Sequence, residues 1–396
     1  MTPLLPPWST PARLALQEEA HAFARDVVLP VADALDPVKG EMPRELVEDM
    51  AARGWFGLTI PAEHGGKGLG VLEYCLVSEE LARGWLSVGS ILARAQGLGT
   101  QVRDADRRAE LLERSAAGEW IGAIALSEPD AGSDLAGVQT RAVRDGDHWV
   151  LTGHKRWAGN ALAADFVEVL ARVRDPEPGE PRSAGLEPFL VVKERGTFPD
   201  GMTGTTIDKI GYHGFLTWDL VLDGVRVPDS DRLTGLYADA GAQADEGDFA
   251  AVQRSLNIAR VHTAARAVGV ARGALGDTTA YLLEREQFGR PIADLQALRF
   301  AVADMAADVA QARAYWLQVA HLLDEGVPCE SEAAMVKLQA TEMAVRVTGQ
   351  AMQLHGGNGY TTERRVERYW RDARLTTIFE GTSEIQRRIV SDRLLG

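Results

Sequence analysis

The 396-residue sequence contains only two cysteines, Cys75 and Cys329, and they lie far apart along the chain. So few thiols exclude a disulfide framework and argue against a thiolate metal site. No uninterrupted apolar run approaches the roughly 20 residues that a membrane-spanning helix requires. The first residues carry no basic leader before an apolar core, and acids appear at Glu18 and Glu19. We therefore expect a cytoplasmic protein without a membrane segment.

Basic residues are fewer than acidic residues in this chain. Lysine and arginine total 42 against 57 acids, which gives a formal net charge of −15. Because the acids are spread along the chain, this charge disfavours nucleic acid or an anionic membrane as a partner. The sequence has no pair of histidines at helical spacing and no G-x-G-x-x-G after a strand. Metal-dependent hydrolysis and nicotinamide chemistry therefore lack their motifs, and we predict no metal site.

Hydrophobic periodicity divides the chain into three parts. Residues 1–118 show a helical pattern, which predicts an N-terminal helical domain. Short segments rich in β-branched and aromatic residues predict a small antiparallel sheet domain over 119–234, with a proline-rich exposed loop at 174–188. A polar connector, 237–248, precedes a helical-bundle domain over 245–396, expected to be a four-helix bundle. The predicted class is α+β and mostly α, and the lack of alternating helices excludes a doubly wound sheet.

Local patterns predict particular turns and one buried helix face. Asp145-Gly146 and Asp223-Gly224 are typical tight-turn dipeptides. Apolar residues at spacings of three and four predict that one face of a long helix is core. These residues are Val336, Ala340, Met343, Val347, Ala351 and Leu354.

One carboxylate, Glu380, stands between an apolar segment and a predicted helix start. Residues 376–379 have a strand-like composition, Gly381 permits a tight turn, and Ser383 with Gln386 has the spacing of a capping box. A carboxylate held there can be dry enough to act as a base. Alternatively, it only stabilises a helix N-terminus. The local pattern leaves both interpretations open.

Three other stretches offer groups suited to a cofactor. The loop ALSEPDAGSDLAG, residues 125–137, contains Gly132 and Ser133, near which backbone amides can cradle a phosphate. In GHKRWAGN, Trp157 can cover a flat aromatic ring. In REQFGRPI, Arg285 can pair with an anion. Taken singly, each also has an ordinary explanation as a loop, a packing residue or a helix exit.

Together these motifs resemble the acyl-CoA dehydrogenase family in order and approximate spacing, from about residue 57 to the C-terminus. The shared stretches are SEP..GSD, KRW..N, R.QFG.PI, Q..GG.GY..E....R..RD.R and EGT.EIQ. The segment KRWAGNALAADF is most similar to glutaryl-CoA dehydrogenase-like members and to short-chain acyl-CoA oxidases. The resemblance implies a three-domain architecture, a homotetramer and FAD bound without a covalent link.

The resemblance also implies two sets of cofactor contacts. The first set contacts FAD within one subunit: Leu126, Ser127, Gly132, Ser133, Trp157, Gly159, Thr382 and Glu384. The second set reaches the FAD of a neighbouring subunit: Arg285, Gln287, Phe288, Gln353, Gly356 and Gly357. Two positions depart from the family pattern. Gly159 stands where many members have Thr or Ser, which leaves an oxidase possible, and His213 replaces a common arginine.

Glu380 matches the family's catalytic base, which takes the α-proton of an acyl-CoA thioester while a hydride leaves the β-carbon. Some relatives carry the base on the long helix, where this chain has Ala259, so Glu380 is the only matching base. The Arg371 and Asp372 motif is interpreted as a structural pair that supports the catalytic loop. By the same resemblance, substrate contacts are expected from Ser133, Asn257, Arg260, Gly381, Arg83 and Arg94.

The acyl group is predicted less directly. Arg83 aligns with the arginine that glutaryl-CoA dehydrogenases use for a distal carboxylate, although a structural role is the alternative. Arg94 is an unusual charge among small residues. A dicarboxylic acyl-CoA is expected if either is buried at the end of the pocket, because an unpaired buried guanidinium is costly. Bulky Trp85 favours a short pocket.

The sequence thus predicts an FAD-dependent short-chain acyl-CoA dehydrogenase that passes electrons to an electron-transfer flavoprotein. One group of alternatives keeps the fold but changes the reaction: an acyl-CoA oxidase that uses oxygen, a glutaryl-CoA-type oxidative decarboxylase, or a flavin-dependent oxygenase. The remaining alternative is a non-catalytic helical scaffold without flavin.

Overall fold

The computed structural model describes residues 4–235 and 249–396. The predicted polar connector 237–248, and with it the predicted start of the last domain at residue 245, lies outside the described residues. Helices and one small sheet domain make up the fold, as the mostly α, α+β prediction states. Within the described ranges, no helix combines the length and the apolar character needed to cross a membrane.

The first region is helical. Its helices are α1 (Pro11–Phe23), α2 (Leu29–Leu35), α3 (Arg44–Ala52), α4 (Val71–Gly84), α5 (Leu86–Ile91) and α6 (Ala105–Ala116). Helix α1 begins at a proline, and Thr10 caps it by accepting a hydrogen bond from the Arg13 N–H. A single π-helical turn, Ala24–Val28, joins α1 to α2. Nearly all of α4 is buried, so this helix lies in the middle of the molecule.

The sheet follows. Its strands are β1 (Gly122–Ala125), β2 (Arg141–Asp145), β3 (His148–Gly159), β4 (Phe166–Arg172), β5 (Leu186–Val192), β6 (Met202–Thr206) and β7 (Thr217–Pro228). The strand order is β1-β4-β2-β3-β7-β6, and β5 pairs with the other side of β4. Most pairs are antiparallel, as predicted, but β1 runs parallel to β4, with Gly122 opposite Phe166. The parallel β1–β4 pair is therefore an exception to the predicted antiparallel sheet.

The two predicted turns have different outcomes. Gly146 has φ 65° and joins β2 to β3, where Asp145 pairs with His148, so this turn is confirmed. Gly224 has φ 79° but lies inside β7, at a shift in the register with β3. The predicted turn there is wrong, and the feature is a β-bulge. A left-handed glycine serves both structures, and only the pairing distinguishes them.

The last region is helical again, apart from a short hairpin. Its elements are α7 (Phe249–Glu284), β8 (Glu286–Gln287), β9 (Arg290–Pro291), α8 (Gln296–Asp324), α9 (Glu330–Leu354), α10 (Val366–Thr376) and α11 (Ser383–Leu395). The predicted apolar face of α9, from Val336 to Leu354, is buried throughout, which confirms that prediction. Helices of the first and last regions share one apolar core, whereas the sheet has its own.

A buried group of charges ties α4 to α7 and α8. Glu79 and Glu80 of α4 are fully buried. Arg272 of α7 contacts both carboxylates and lies 2.7 Å from Glu80. Arg313 of α8 lies 2.9 Å from Glu79, to which Trp316 also donates a hydrogen bond. Breaking one partner of such a cluster leaves a buried charge uncompensated, so the cluster fixes how these helices pack.

Candidate active site

Glu380 lies in a tight turn between α10 and α11. Glu380 has φ 52° and Gly381 has φ 85°, so two consecutive residues adopt the left-handed conformation. A non-glycine residue rarely does so, and such strain persists only where surrounding contacts impose it. Helix α11 begins at Ser383, as predicted, but its cap is Thr382, which accepts a hydrogen bond from Ile385 N–H at 3.3 Å.

Two local predictions around this turn are therefore wrong. The capping box assigned to Ser383 and Gln386 is shifted, because Thr382 occupies the cap position. The segment 376–379 is not a strand: α10 continues to Thr376 and the chain then turns. A few apolar and β-branched residues cannot be distinguished from a helix end by composition alone.

Side chains from α9 and α11 hold the turn. Lys337 Nζ donates a 2.6 Å hydrogen bond to the carbonyl oxygen of Gly381. Gln386 Nε2 donates to the same oxygen at 3.0 Å and to that of Glu380 at 3.2 Å. Burial lowers the pKa of Lys337 to about 8, although the charges of Glu380 and Glu342 oppose the shift. Sequence reasoning missed Lys337, whose signal was a lysine inside the apolar face of α9.

The Glu380 side chain faces a cavity of about 340 Å³, here called the Glu380 cavity. Its walls come from α4, α7, the segment after α5, and β1. Its lining includes Tyr74, Arg94, Ile124, His262, Arg266 and Glu380. Within the described parts of the chain, no residue donates a hydrogen bond to the Glu380 carboxylate. The carboxylate is half-buried and available to a ligand.

Two titratable groups in this cavity are neutral. Tyr74 stacks on His262 with ring centroids 4.4 Å apart. Burial, reinforced by the charge of Arg266, holds the pKa of His262 well below its usual range. Burial raises the pKa of Tyr74 well above its usual value, so its hydroxyl stays protonated. The net charge that faces Glu380 therefore comes from arginines.

The segment Leu126–Ser127 directly continues β1, whose Ile124 lines the Glu380 cavity. Lys155 Nζ donates hydrogen bonds to the Leu126 carbonyl oxygen at 2.9 Å and to Glu128 at 2.8 Å. The backbone N–H of Arg156 donates to the Ser127 carbonyl oxygen at 2.9 Å. Burial lowers the pKa of the fully buried Lys155 to about 8, and Glu128 opposes this shift. Sequence analysis missed this lysine, although it belongs to the KRW motif.

The surface beside this segment is open. Trp157 is 54% exposed and has φ 70°, at a register shift between β3 and β7. Gly132 and Ser133 are exposed, and a methyl group placed on Gly132 would meet no atom within 4 Å. The Arg156 guanidinium lies over one side of the indole, 4.8 Å from the ring centroid, and the rest of the ring stays exposed. An exposed indole next to an open glycine loop fits a ligand that combines a flat ring with phosphates. The residues of the first predicted set are thus compatible with FAD.

Gly159 is buried, and Phe215 explains why it is glycine. A Cβ atom at this position would lie 2.3 Å from Cε1 of the Phe215 ring, far inside contact distance. The phenyl ring therefore occupies the space that a Thr or Ser side chain needs. The missing side chain of Gly159 and the bulk of Phe215 therefore fit together sterically.

Most of the second predicted set lines another cavity, of about 670 Å³, near the β8–β9 hairpin. These residues are Arg285, Gln287, Gln353, Gly356 and Gly357. Phe288, in the same hairpin, is 90% exposed. Among the described residues that line this cavity, none belongs to the first set. One chain alone does not bring the two sets together.

The predicted substrate residues separate in the structure. Arg94 lines the Glu380 cavity, whereas Arg83 does not, and Arg83 Nη1 instead lies 3.2 Å from His21 Nδ1. Asn257 accepts a hydrogen bond from Arg260 at 2.7 Å, and burial lowers the pKa of Arg260. Ala259 lines the cavity, and its methyl group cannot accept a proton.

Other predicted positions have structural partners. Trp85 does not line the Glu380 cavity, and it packs against Gly214, where an added Cβ would lie 2.3 Å from the indole. Glu384 is exposed in the first turn of α11. Arg371 and Asp372, interpreted from the sequence as a structural pair, both make structural contacts, but not with each other. Arg371 contacts Asp36 and Glu367, while Asp372 accepts a 2.6 Å hydrogen bond from Tyr212 N–H.

Comparison with known proteins covers nearly the whole chain. Acyl-CoA dehydrogenase domains match in order: the N-terminal domain at residues 10–119, the middle domain at 123–225 and the C-terminal domain at 247–395. (2S)-Methylsuccinyl-CoA dehydrogenase of Cereibacter sphaeroides is 37% identical, over 96% of this chain and 69% of that protein.

Two solved structures have the same fold. Butyryl-CoA dehydrogenase from Megasphaera elsdenii is 31% identical with a TM-score of 0.87, and the match covers 98% of this chain and 99% of that one. A chain from a structure of the electron transferring flavoprotein of Acidaminococcus fermentans, which concerns flavin-based electron bifurcation, is 34% identical with a TM-score of 0.87, covering 98% of both chains.

The sequence match extends through all three domains, and the helical, sheet and helical regions agree with it. The chain belongs to the acyl-CoA dehydrogenase family, and it is an oxidoreductase of acyl-CoA with FAD as its cofactor.

Proposed function

We propose that this enzyme removes hydrogen from Cα and Cβ of a short-chain acyl-CoA and that Glu380 is the base that takes the α-proton. The observation that carries the proposal is the carboxylate itself. It lines a cavity, has no hydrogen-bond donor among the described residues, and sits in a strained turn that buried side chains hold. A carboxylate without competing donors is available to accept a proton from a substrate within hydrogen-bond reach.

The thioester oxygen needs a donor as the α-proton leaves. The backbone N–H of Glu380 serves this purpose, because the left-handed turn orients it and no described residue accepts its hydrogen bond. A preorganised donor of this kind contributes about 3 kcal/mol to catalysis. Gly381 gives the turn its shape, and the Asn257–Arg260 pair on α7 contacts the CoA thioester side of the substrate.

FAD fits the first set of residues. With FAD bound, Leu126, Ser127 and Trp157 would lie against the ring, and Gly132 and Ser133 would approach the phosphates. Gly159 would lie beside the ring edge, where Phe215 fills the space of a side chain. Thr382 and Glu384 contact the cofactor from the start of α11. When bound, FAD supplies the acceptor for the hydride equivalent from the β-carbon. The protein's residues align the substrate, exclude water and remove the proton.

A homotetramer completes the cofactor site. Arg285, Gln287, Phe288, Gln353, Gly356 and Gly357 then reach the FAD of a neighbouring subunit. Large apolar side chains exposed near this cavity support an interface, since Phe288, Phe300 and Tyr360 are 90%, 60% and 88% exposed. We propose an electron-transfer flavoprotein as the electron acceptor, by similarity to the Acidaminococcus structure. A cytoplasmic location also stays a prediction.

Substrate length follows from the cavity and the relatives. The Glu380 cavity, at about 340 Å³, is near the lower end of ligand pockets. Two relatives are named for butyryl-CoA and methylsuccinyl-CoA, and the acyl groups of these two thioesters are short. We therefore propose a substrate of that length.

The deciding experiment is anaerobic bleaching of the flavin absorbance by butyryl-CoA. We expect bleaching of the purified enzyme and none in Glu380→Gln, with FAD still bound. Glu110→Gln changes an exposed glutamate on α6 and is the matched control, which should bleach normally. Substantial bleaching of Glu380→Gln contradicts the assignment of the base.

An oxidase is the second candidate, because Gly159 and Phe215 alter the surface where a hydroxyl normally meets the flavin. The two candidates differ in how the reduced enzyme reacts with air. Slow reoxidation without a protein acceptor supports a dehydrogenase. Rapid reoxidation that releases peroxide identifies an oxidase.

A further inference from the structure

Two arginines in the Glu380 cavity have no acidic partner. Arg94 follows α5 and Arg266 lies on α7, and both line the cavity that holds Glu380. Within residues 4–235 and 249–396, neither guanidinium has a carboxylate within ion-pair distance. Most buried arginines in this protein are paired, as Arg272 is with Glu79 and Glu80.

Arg94 is the less satisfied of the two. It is half-buried, its Nε is buried without a hydrogen-bond acceptor, and no described residue accepts a hydrogen bond from its other nitrogens. The guanidinium carbon lies over an aromatic ring, 5.5 Å from the centroid of Phe215. A cation–π contact orients the group but does not neutralise its charge.

Arg266 is only 3% exposed. Its Nη1 donates to Ser90 Oγ at 2.6 Å and its Nη2 donates to Thr263 Oγ1 at 3.0 Å, while its Nε is buried without a partner. Both acceptors are neutral hydroxyls, so the charge is held in place without being compensated. An isolated buried charge costs several kcal/mol.

The other charged groups of the cavity already have partners. Asp324 accepts hydrogen bonds from the first amides of α4, Val71 N–H at 2.6 Å and Leu72 N–H at 3.1 Å. Arg254 donates to the Leu323 carbonyl oxygen at 2.6 Å. Among the described residues, Glu380 is then the single carboxylate that faces Arg94 and Arg266, and those residues leave one positive charge in excess. Both arginines act on the same three rings, Tyr74, Tyr212 and His262, so their fields overlap.

We propose that Arg94 and Arg266 form a subsite for an anionic group at the far end of the acyl chain, and that this group is the free carboxylate of a dicarboxylic acid mono-CoA thioester. The proposal rests on the proposed function, because it assumes that the acyl group enters the Glu380 cavity. The planar guanidinium fork matches a carboxylate in geometry as well as in charge. The protonated Tyr74 hydroxyl is a further donor in the same cavity. A bound carboxylate also compensates the positive charge that the two arginines place in the cavity.

The test compares two unreactive CoA thioethers, S-(4-carboxybutyl)-CoA and S-pentyl-CoA, which differ only in the terminal carboxylate. Calorimetric titration of the FAD-loaded enzyme gives both dissociation constants without any turnover. We expect the carboxylate analogue to bind at least tenfold more tightly. Arg94→Gln should lose most of this preference, and Arg94→Lys should keep part of it. Arg83→Gln is the matched control and should keep all of it, because Arg83 does not line the cavity.

Equal binding of the two analogues by the unmodified enzyme overturns the proposal. So does a preference that persists in Arg94→Gln or disappears in Arg83→Gln. Anaerobic bleaching by butyryl-CoA and glutaryl-CoA separates this inference from the proposed function. If butyryl-CoA bleaches the flavin and no carboxylate preference exists, only the subsite is wrong. If neither thioester bleaches it, the proposed function fails, whatever the analogues show.

Discussion

The ammonium group of Lys337, on α9, donates a 2.6 Å hydrogen bond to the carbonyl oxygen of Gly381, the residue after Glu380. Lys337 is fully buried, so this contact forms inside the helical bundle and not at its surface. Gln386 donates to the same oxygen at 3.0 Å. The bundle therefore holds the turn that carries Glu380, through a residue that does not itself line the Glu380 cavity.

Replacing Lys337 tests this dependence. Lys337→Met keeps the apolar stem but removes a charged donor, and hydrogen bonds to charged groups contribute about 1.5–3 kcal/mol. We expect the rate of flavin bleaching by butyryl-CoA to fall roughly ten- to a hundredfold, with FAD retained. Stopped-flow absorbance measures the rate. An unchanged rate in a folded, FAD-bound variant contradicts the positioning role.

Lys155 is expected to hold Leu126 and Ser127, the segment that we propose contacts the flavin. Lys155→Met removes the hydrogen bond to the Leu126 carbonyl oxygen and leaves Glu128 buried without its cation, a change that typically costs about 3–5 kcal/mol of stability. We expect FAD to be released at a lower urea concentration than from the unmodified enzyme, as followed by flavin fluorescence.

A lysine in the same sheet domain provides the control for Lys155. Lys193 also donates to backbone carbonyl oxygens, those of Leu162 and Ala164, and burial lowers its pKa to about 8 as well. Lys193→Met should reduce stability while FAD is lost only as the protein unfolds. If Lys155→Met and Lys193→Met are equally stable and release FAD at the same urea concentration, Lys155 has no specific role in holding FAD.

Gly159 and Phe215 should be energetically coupled. Gly159→Ala places a Cβ 2.3 Å from the Phe215 ring, and overpacking of this kind costs about 1–3 kcal/mol. In a Phe215→Ala background the same change should cost almost nothing, because the ring is gone. Urea unfolding of the two single variants and the double variant gives the coupling energy. If the effects of Gly159→Ala and Phe215→Ala on the free energy of unfolding are additive, the contact with Phe215 does not explain why residue 159 is glycine.

His213 should make stability depend on pH. Burial lowers the pKa of His213, but the hydrogen bond and charge of Asp36 outweigh it, so the pKa is raised overall. Nδ1 lies 3.2 Å from the Asp36 carboxylate, which Arg371 also contacts. A raised pKa in the folded state stabilises the protein fully below about pH 6.5, the unfolded value, and this stabilisation is lost as pH rises through the folded pKa.

The difference in the free energy of unfolding between the unmodified enzyme and His213→Gln should therefore be larger at pH 6 than at pH 9. Chemical unfolding at the two pH values measures it. A difference that is constant with pH shows that His213 acts only through packing, and one that grows with pH shows that its pKa is lowered in the folded protein, which contradicts the prediction. Both pH values are measured at one temperature and one salt concentration, so that the change in the difference between pH 6 and pH 9 reports the charge of His213.

Periodicity was enough to predict the architecture. The stripe of α9 and the short strands between 119 and 234 arise from local hydrophobic patterns, which depend on residues a few positions apart. The same locality explains the errors. Asp223-Gly224 is a bulge because β3 pairs across it, and residues 376–379 end a helix whose next residues turn toward α9. Neither outcome depends on the local sequence alone.

The sequence by itself determined the family and the three regions, and it identified Glu380 as the candidate base. Ordered motifs and local periodicity are properties of the linear sequence, so they can be read without the fold. Only the tertiary structure decided what surrounds that carboxylate. It brought Lys337 beneath the turn, set Phe215 against Gly159, and put Arg94 but not Arg83 in the cavity. These contacts join residues far apart in the chain, so they depend on packing between helices and sheet, which no local pattern encodes.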